Sequence, residues 1–187
     1  MRRSLFIIGM FLVVLCGYAS AQNAIYQVTN GSVRFHSDAP LEFINASSKG
    51  LMGAVDILKR TFLFKINIPS FDGFNSPRQK EHFNENYMES DLFPIAVFSG
   101  KIIEEIDLSK DGEYIIRAKG KLIIHGVGQQ RTIKCRIVCE NGKITVRSDF
   151  VVLLADHNIK IPRIVSDKLS PEINVSISAE LTSKPSS

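Results

Sequence analysis

The chain of 187 residues has little of what catalysis or metal binding requires. Its four histidines, His36, His82, His125 and His157, are far apart, and none falls in a metal-ligand spacing such as H-E-x-x-H. Asp156-His157 would orient an imidazole, but no serine nucleophile elbow accompanies the pair. A glycine-rich phosphate loop is missing too, so the sequence argues against an enzyme and against a metal or other cofactor. Charge of one sign is nowhere concentrated. Lysine and arginine exceed aspartate and glutamate by 23 to 19, but Arg2 and Arg3 belong to a segment read below as removed, which leaves 21 against 19. Scattered among acids, these bases form no stripe that would track a phosphate backbone, so nucleic acid is not an expected partner.

A long apolar run occurs only at the start. "MRRSLFIIGMFLVVLCGYASAQ" combines two arginines, an apolar stretch from Leu5 to Leu15 and Ala19-Ser20-Ala21, the pattern of a secretory signal cut after Ala21. The stretch is too short to remain as a membrane span. A lipid anchor on Cys16 is the competing reading, disfavoured by the bulky Leu15 before it. The expectation is a signal peptide over residues 1–21 and one domain over 22–187, periplasmic or secreted, with no transmembrane segment. No internal repeat is present.

Two cysteines remain, Cys135 and Cys139. Four residues apart on a strand, their Cα atoms would be separated by roughly 13 Å, about twice the reach of a disulfide. Buried thiols acting as small apolar side chains are the simpler reading. A redox or metal role would need both sulfurs to be accessible.

What the sequence has in quantity is alternation. "TFLFKINI" puts Phe62, Phe64, Ile66 and Ile68 on one face, with Lys65 and Asn67 opposite. "EYIIRAKGKLIIH" puts Tyr114, Ile116, Ala118, Gly120, Leu122 and Ile124 against Arg117, Lys119 and Lys121. "EINVSISAEL" does the same with Ile173, Val175, Ile177, Ala179 and Leu181. Further strands are expected around residues 33–37, 41–46, 55–58, 97–106, 132–139 and 144–154. Asn141-Gly142 is a strong hairpin signal, while "SKDG" and "HGVGQQ" read as looser turns. About eight antiparallel strands in sequence predict an all-β fold, an up-and-down barrel closed on itself; a two-sheet sandwich is the alternative.

One stretch breaks the pattern. In "SPRQKEHFNENYMESDLFP", Ser76, Pro77 and Gln79 make a helix start with a capping serine, proline at the first position and an amide three residues after the cap. The helix is expected to run to about Ser90, with Pro94 restoring extended chain. Phe83 and Tyr87 share one face; Lys80, Glu81, Glu85 and Glu89 are mostly solvated. Two rings suffice to latch a polar helix over one mouth of a barrel, and His82 would there meet a polar head group.

The passage "HFNENYMESDLFPIAVFSGKI", then "GKLIIHGVGQQRTI" and "SDFVVLLADHNIKIPRI", resembles the YceI-like family, with "VRFHSDAPLEFINASSKGLMGAVD" fitting its start. The resemblance spans roughly Val33 to Leu181 and rests most on Tyr87, Phe93, Pro94 and Phe98 and on Gly120, Leu122, His125 and Gly126. It implies an exported lipocalin-like barrel whose elongated cavity holds a long isoprenoid lipid, a polyisoprenoid or isoprenoid quinone, and it brings no catalytic signature. The residues add a candidate site: Phe62, Phe64, Phe98, Ile102, Ile116, Ala118, Leu122 and Phe150 on inward faces, bordered by Phe83 and Tyr87. Small residues at Ala118, Gly120 and Gly100 would leave space along the axis. A barrel filled by its own side chains, acting through an envelope protein partner, is the other reading, and a homodimer is compatible with either.

Overall fold

In the computed structural model, residues 25–183 are described; the expected signal peptide lies outside them. Nine antiparallel strands follow in order: β1 (Ile25–Asp38), β2 (Phe43–Ser48), β3 (Met52–Asp56), β4 (Thr61–Asn67), β5 (Ile95–Ile102), β6 (Gly112–Ile124), β7 (Val127–Glu140), β8 (Lys143–Leu153) and β9 (Glu172–Ser183). From β3 to β9 each strand pairs with the next, and β9 pairs back onto β1. With β9 occupying one edge of β1, the other edge is shared end to end: Ile25–Gln27 pair with β3 and Val33–Asp38 with β2. The result is a closed eight-strand barrel with β2 as an extra strand.

The first half of β1 escapes a reading by alternation because of a bulge. The register with β9 shifts between Val28 and Asn30, so the inward set changes from Tyr26 and Val28 to Gly31, Val33, Phe35 and Ser37. A strict two-residue period fails across that step. β5 is shorter than expected for a different reason. The Glu104 carboxylate accepts from the Arg117 backbone N–H (2.7 Å) and from its guanidinium (2.8 Å), so a side chain occupies the place a strand carbonyl would take. Those bonds, the backbone one foremost, hold the Glu104 carboxyl below its usual range.

Asn141-Gly142 forms the expected tight hairpin, with both φ angles positive, 51° and 73°. "HGVGQQ" differs from the expected loose turn: β6 ends at Ile124 and β7 begins at Val127. His125 and Gly126 alone make the connection, at φ 50° and 70°. A second correction concerns Gly100 and Gly120. They are paired across β5 and β6, and neither borders the cavity described below. A Cβ on Gly100 would stand 2.1 Å from the Lys119 carbonyl oxygen, and one on Gly120 2.2 Å from that of Ser99. Backbone proximity, not cavity space, is what demands glycine at both positions.

The helical excursion lies at the end of the barrel where β1, β4, β6 and β8 finish. Ser76 is extended, its Oγ accepts from the Gln79 N–H (3.2 Å), and Pro77 opens α1 (Pro77–His82). Gln79 Oε1 accepts from the Asn75 N–H instead of the cap's own (2.9 Å). The α-helix stops at His82, short of the expected Ser90, and a π-helical turn continues over Phe83–Tyr87. Met88 N–H donates to the Phe83 carbonyl five residues back (2.9 Å). That wider turn carries Met88 and Ser90 into buried positions.

A blind-ended apolar cavity

Side-chain volume closes one end of the barrel and leaves space along the rest of it. At the end carrying the 140–143 hairpin, Tyr26, Ile57, Leu108, Cys139, Ile144 and Leu181 are buried and make a solid floor. None of them borders the cavity above, which measures about 490 Å³ and runs to the capped mouth. Its volume lies in the range of small-molecule sites.

The ten residues read from the sequence, Phe62, Phe64, Phe83, Tyr87, Phe98, Ile102, Ile116, Ala118, Leu122 and Phe150, all border this one cavity. Alternation places them: β4 supplies Phe62 and Phe64, β5 Phe98 and Ile102, β6 Ile116, Ala118 and Leu122, and β8 Phe150. On one wall the Phe62 and Phe98 rings meet with centroids 4.8 Å apart. At the mouth Phe83 stacks on Phe35 (5.3 Å) and touches Phe74 (5.1 Å) and Phe71 (6.0 Å). This aromatic latch fastens the π turn to β1 and to the chain after β4.

Sequence reasoning missed Phe35, Phe71 and Phe74, and left Ile173, Val175 and Ile177 as plain core; all six border the cavity. The alternation of β9 carried the signal for the last three. Phe71 and Phe74 lie in irregular chain, where no period exists to find them.

Buried polar groups in the wall are already engaged. Ser37 Oγ accepts from the Ser170 N–H (2.9 Å), and Ser148 Oγ donates to the Lys134 carbonyl (2.8 Å). Cys135 Sγ leans on the Ile133 carbonyl (3.7 Å). The cysteines are free and buried. Burial pushes the Cys135 thiol up and, aided by the Asp111 charge, the Cys139 thiol up to about 11. Neutral thiols of this kind behave as apolar filling. Glu42, Ser76, Arg78, Gln79, His82 and Lys168 bring polarity to the mouth. There Gln79 Nε2 donates to Glu42 (2.7 Å), and desolvation, then Glu42, raise the Tyr87 phenol. His82 borders the cavity, while Asn86, one turn on, is exposed.

The cap is tied to the barrel at a second point. His125 Nε2 reaches Glu89 (2.6 Å), its Nδ1 reaches the His157 carbonyl (3.1 Å), and Phe93 packs edge-on against the ring (4.7 Å). His157, almost wholly buried, uses Nδ1 on the Val127 carbonyl (3.0 Å). Both histidines are thus structural. Among the described residues no three His, Cys, Asp or Glu side chains converge as a metal site, and no helix is long and apolar enough to cross a membrane.

A closed antiparallel barrel with a capped apolar interior is the architecture of a known group, and the family model of the YceI-like domain matches residues 22–181. The chain belongs to the YceI-like family. Among solved structures it is similar to a polyisoprenoid binding domain from Saccharophagus degradans, with 13% identity and a TM-score of 0.72 over 87% of this chain and all of that one. It is similar also to Burkholderia cenocepacia BcnA, with 14% identity and a TM-score of 0.65 over 80% of this chain and 95% of that one. A Campylobacter jejuni YceI protein matches at 18% identity and TM-score 0.55 over 72% and 82% of the two chains. At such identities the likeness is one of fold. A comparison with curated proteins finds no match.

Proposed function

We propose that this YceI-like protein is an exported carrier that holds one long apolar lipid, a polyisoprenoid or isoprenoid quinone, with its tail in the cavity and its head at the mouth. One observation carries the reading: a cavity closed at its floor whose buried wall serines already bond to backbone, leaving a ligand an apolar wall below a polar mouth. A site of that kind rewards chain length, at about 0.8 kcal/mol per buried CH₂, over head-group chemistry. The name of the Saccharophagus degradans domain supports the same ligand class. Binding without chemistry fits a wall of this composition. A barrel filled throughout is disfavoured by a cavity bordered as far down as Ile137, Val146 and Ala179.

Ala118 is 6% exposed, lies between Ile102 and Ile133 on neighbouring strands, and faces the cavity. Ala118→Trp is expected to occupy the space and abolish lipid retention while the barrel still forms, with Ala118→Phe as a smaller step in the same direction. Native mass spectrometry of protein purified from its own envelope without detergent reads the retained adduct, and circular dichroism reads the fold. An adduct with isoprenoid mass spacing in the parent chain, lost in the folded variant, is the expected result. A parent chain that carries no adduct and ignores added ubiquinone and polyprenol would overturn the proposal.

A further inference from the structure

The segment after β8 folds over the rim of the mouth and sorts its apolar residues two ways. Ile161, Val165 and Leu169 turn toward the barrel, and Val165 borders the cavity. Ile164, on the short 3-10 turn Arg163–Val165, does the opposite and is 91% exposed. Beside it stands Leu41, 71% exposed at the tip of a tight turn closed by the Ala39 and Glu42 backbones. Leu41 N–H donates to the Asp167 carbonyl (2.8 Å), so the two turns are fastened to each other and both side chains are presented by fixed backbone.

Positive charge gathers on the Ile164 side of this pair, while Leu41 lies between the acids Asp38 and Glu42, the latter already bonded to Gln79. Lys160, Arg163 and Lys168 flank Ile164 in the same segment, against the single acid Asp167, and Arg78 stands at the same mouth. All four are exposed, and none forms an ion pair among the described residues. The floor end supplies the contrast. Leu58 is as exposed as Leu41, but its neighbours Lys59 and Arg60 are paired with Asp56 and Glu105. Single exposed leucines are ordinary; two fixed apolar tips with unpaired cations around a cavity mouth are not.

From this arrangement we infer that the rim formed by Leu41, Ile164, Lys160, Arg163 and Lys168 docks on an anionic lipid bilayer, setting the mouth against the membrane. The inference deepens the carrier reading and rests on it for its purpose: a lipid passed from bilayer to cavity through a docked mouth never crosses water. The chemistry is that of interfacial binding, with apolar tips below the head groups and cations at their phosphates. Each cation near such a surface contributes roughly five-fold in affinity, and added salt removes the gain.

Flotation of the full chain with vesicles tests it, using phosphatidylcholine alone or mixed with phosphatidylglycerol. The expected result is binding to the mixed vesicles that weakens with salt and is much poorer on phosphatidylcholine. Lys160→Gln with Arg163→Gln should lower that binding roughly thirty-fold, and Ile164→Ser should lower it at every salt concentration. None of the three changed residues borders the cavity, so lipid retention in native mass spectra should persist. Retention without flotation, or flotation unaltered by these substitutions, overturns the docking while leaving the carrier reading intact. Flotation that the substitutions abolish, in a chain that never holds lipid, supports docking and removes the carrier reading. A concentration-dependent dimer lost in Ile164→Ser, without vesicle binding, would assign the rim to a second copy instead and overturn the inference.

Discussion

At the scale of single residues, the most instructive position is Gly120. By composition it reads as cavity space, like Ala118 two residues earlier, and the two behave differently because a strand has two kinds of neighbour. Ala118 meets the interior; Gly120 meets the backbone of β5, with the Ser99 carbonyl oxygen 2.2 Å from where a Cβ would be. Gly→Ala in an unstrained position stabilises by about 0.4–1 kcal/mol through the unfolded chain. Here the obstacle is backbone and cannot rotate away, so Gly120→Ala is expected to destabilise by about 1–3 kcal/mol. A lowered urea midpoint with unchanged slope checks it, and a raised midpoint would refute the close-approach argument. Alternation of side chains made the lining legible at Phe62, Ile116 or Phe150, since inward direction follows from period alone. Distance between neighbouring backbones leaves no such trace, and neither does the bulge at Thr29 until a register is known.

The cap shows which parts of an element can be read locally. Ser76, Pro77 and Gln79 announce its start because the bonds around a cap join residues no more than four apart. The π turn at Phe83–Tyr87 could not be read, since its cause is remote: Phe83 must reach Phe35, Phe71 and Phe74 while Met88 reaches the interior. Phe83 is half-buried, so its removal costs about 2 kcal/mol, less than the 3–5 typical of a core phenylalanine. Phe83→Ala should therefore release the cap locally and leave the strands in place. Hydrogen exchange is the measurement: amides of residues 77–87 should lose protection roughly thirty-fold while β6 and β9 do not change. Uniform loss over the whole barrel would show instead that the cap is part of one cooperative unit. The Glu89–His125 contact is expected to keep the far end of the excursion in place even then.

For the molecule as a whole, closure was legible from the count of alternating strands, and the size of the cavity was not. Cavity volume is a small difference between the space a barrel encloses and the side chains that enter it, and only the assembled ring fixes either quantity. What completes that ring is the pairing of β1 with β9, from Tyr26 opposite Ser183 to Ser37 opposite Ile173. The Thr29 hydroxyl donates to the Glu180 carbonyl across 151 residues of chain. A contact so distant carries a large closure entropy and belongs to the slow-folding class of topologies. A chain ending at residue 171 should show no cooperative unfolding transition by circular dichroism, whereas the full chain should show one; a sharp transition in the shortened chain would deny β9 this part. The timing that follows is set by synthesis. Until its last dozen strand residues are in place, the polypeptide has two open edges and no enclosed interior, so the apolar pocket comes into being only with the final strand.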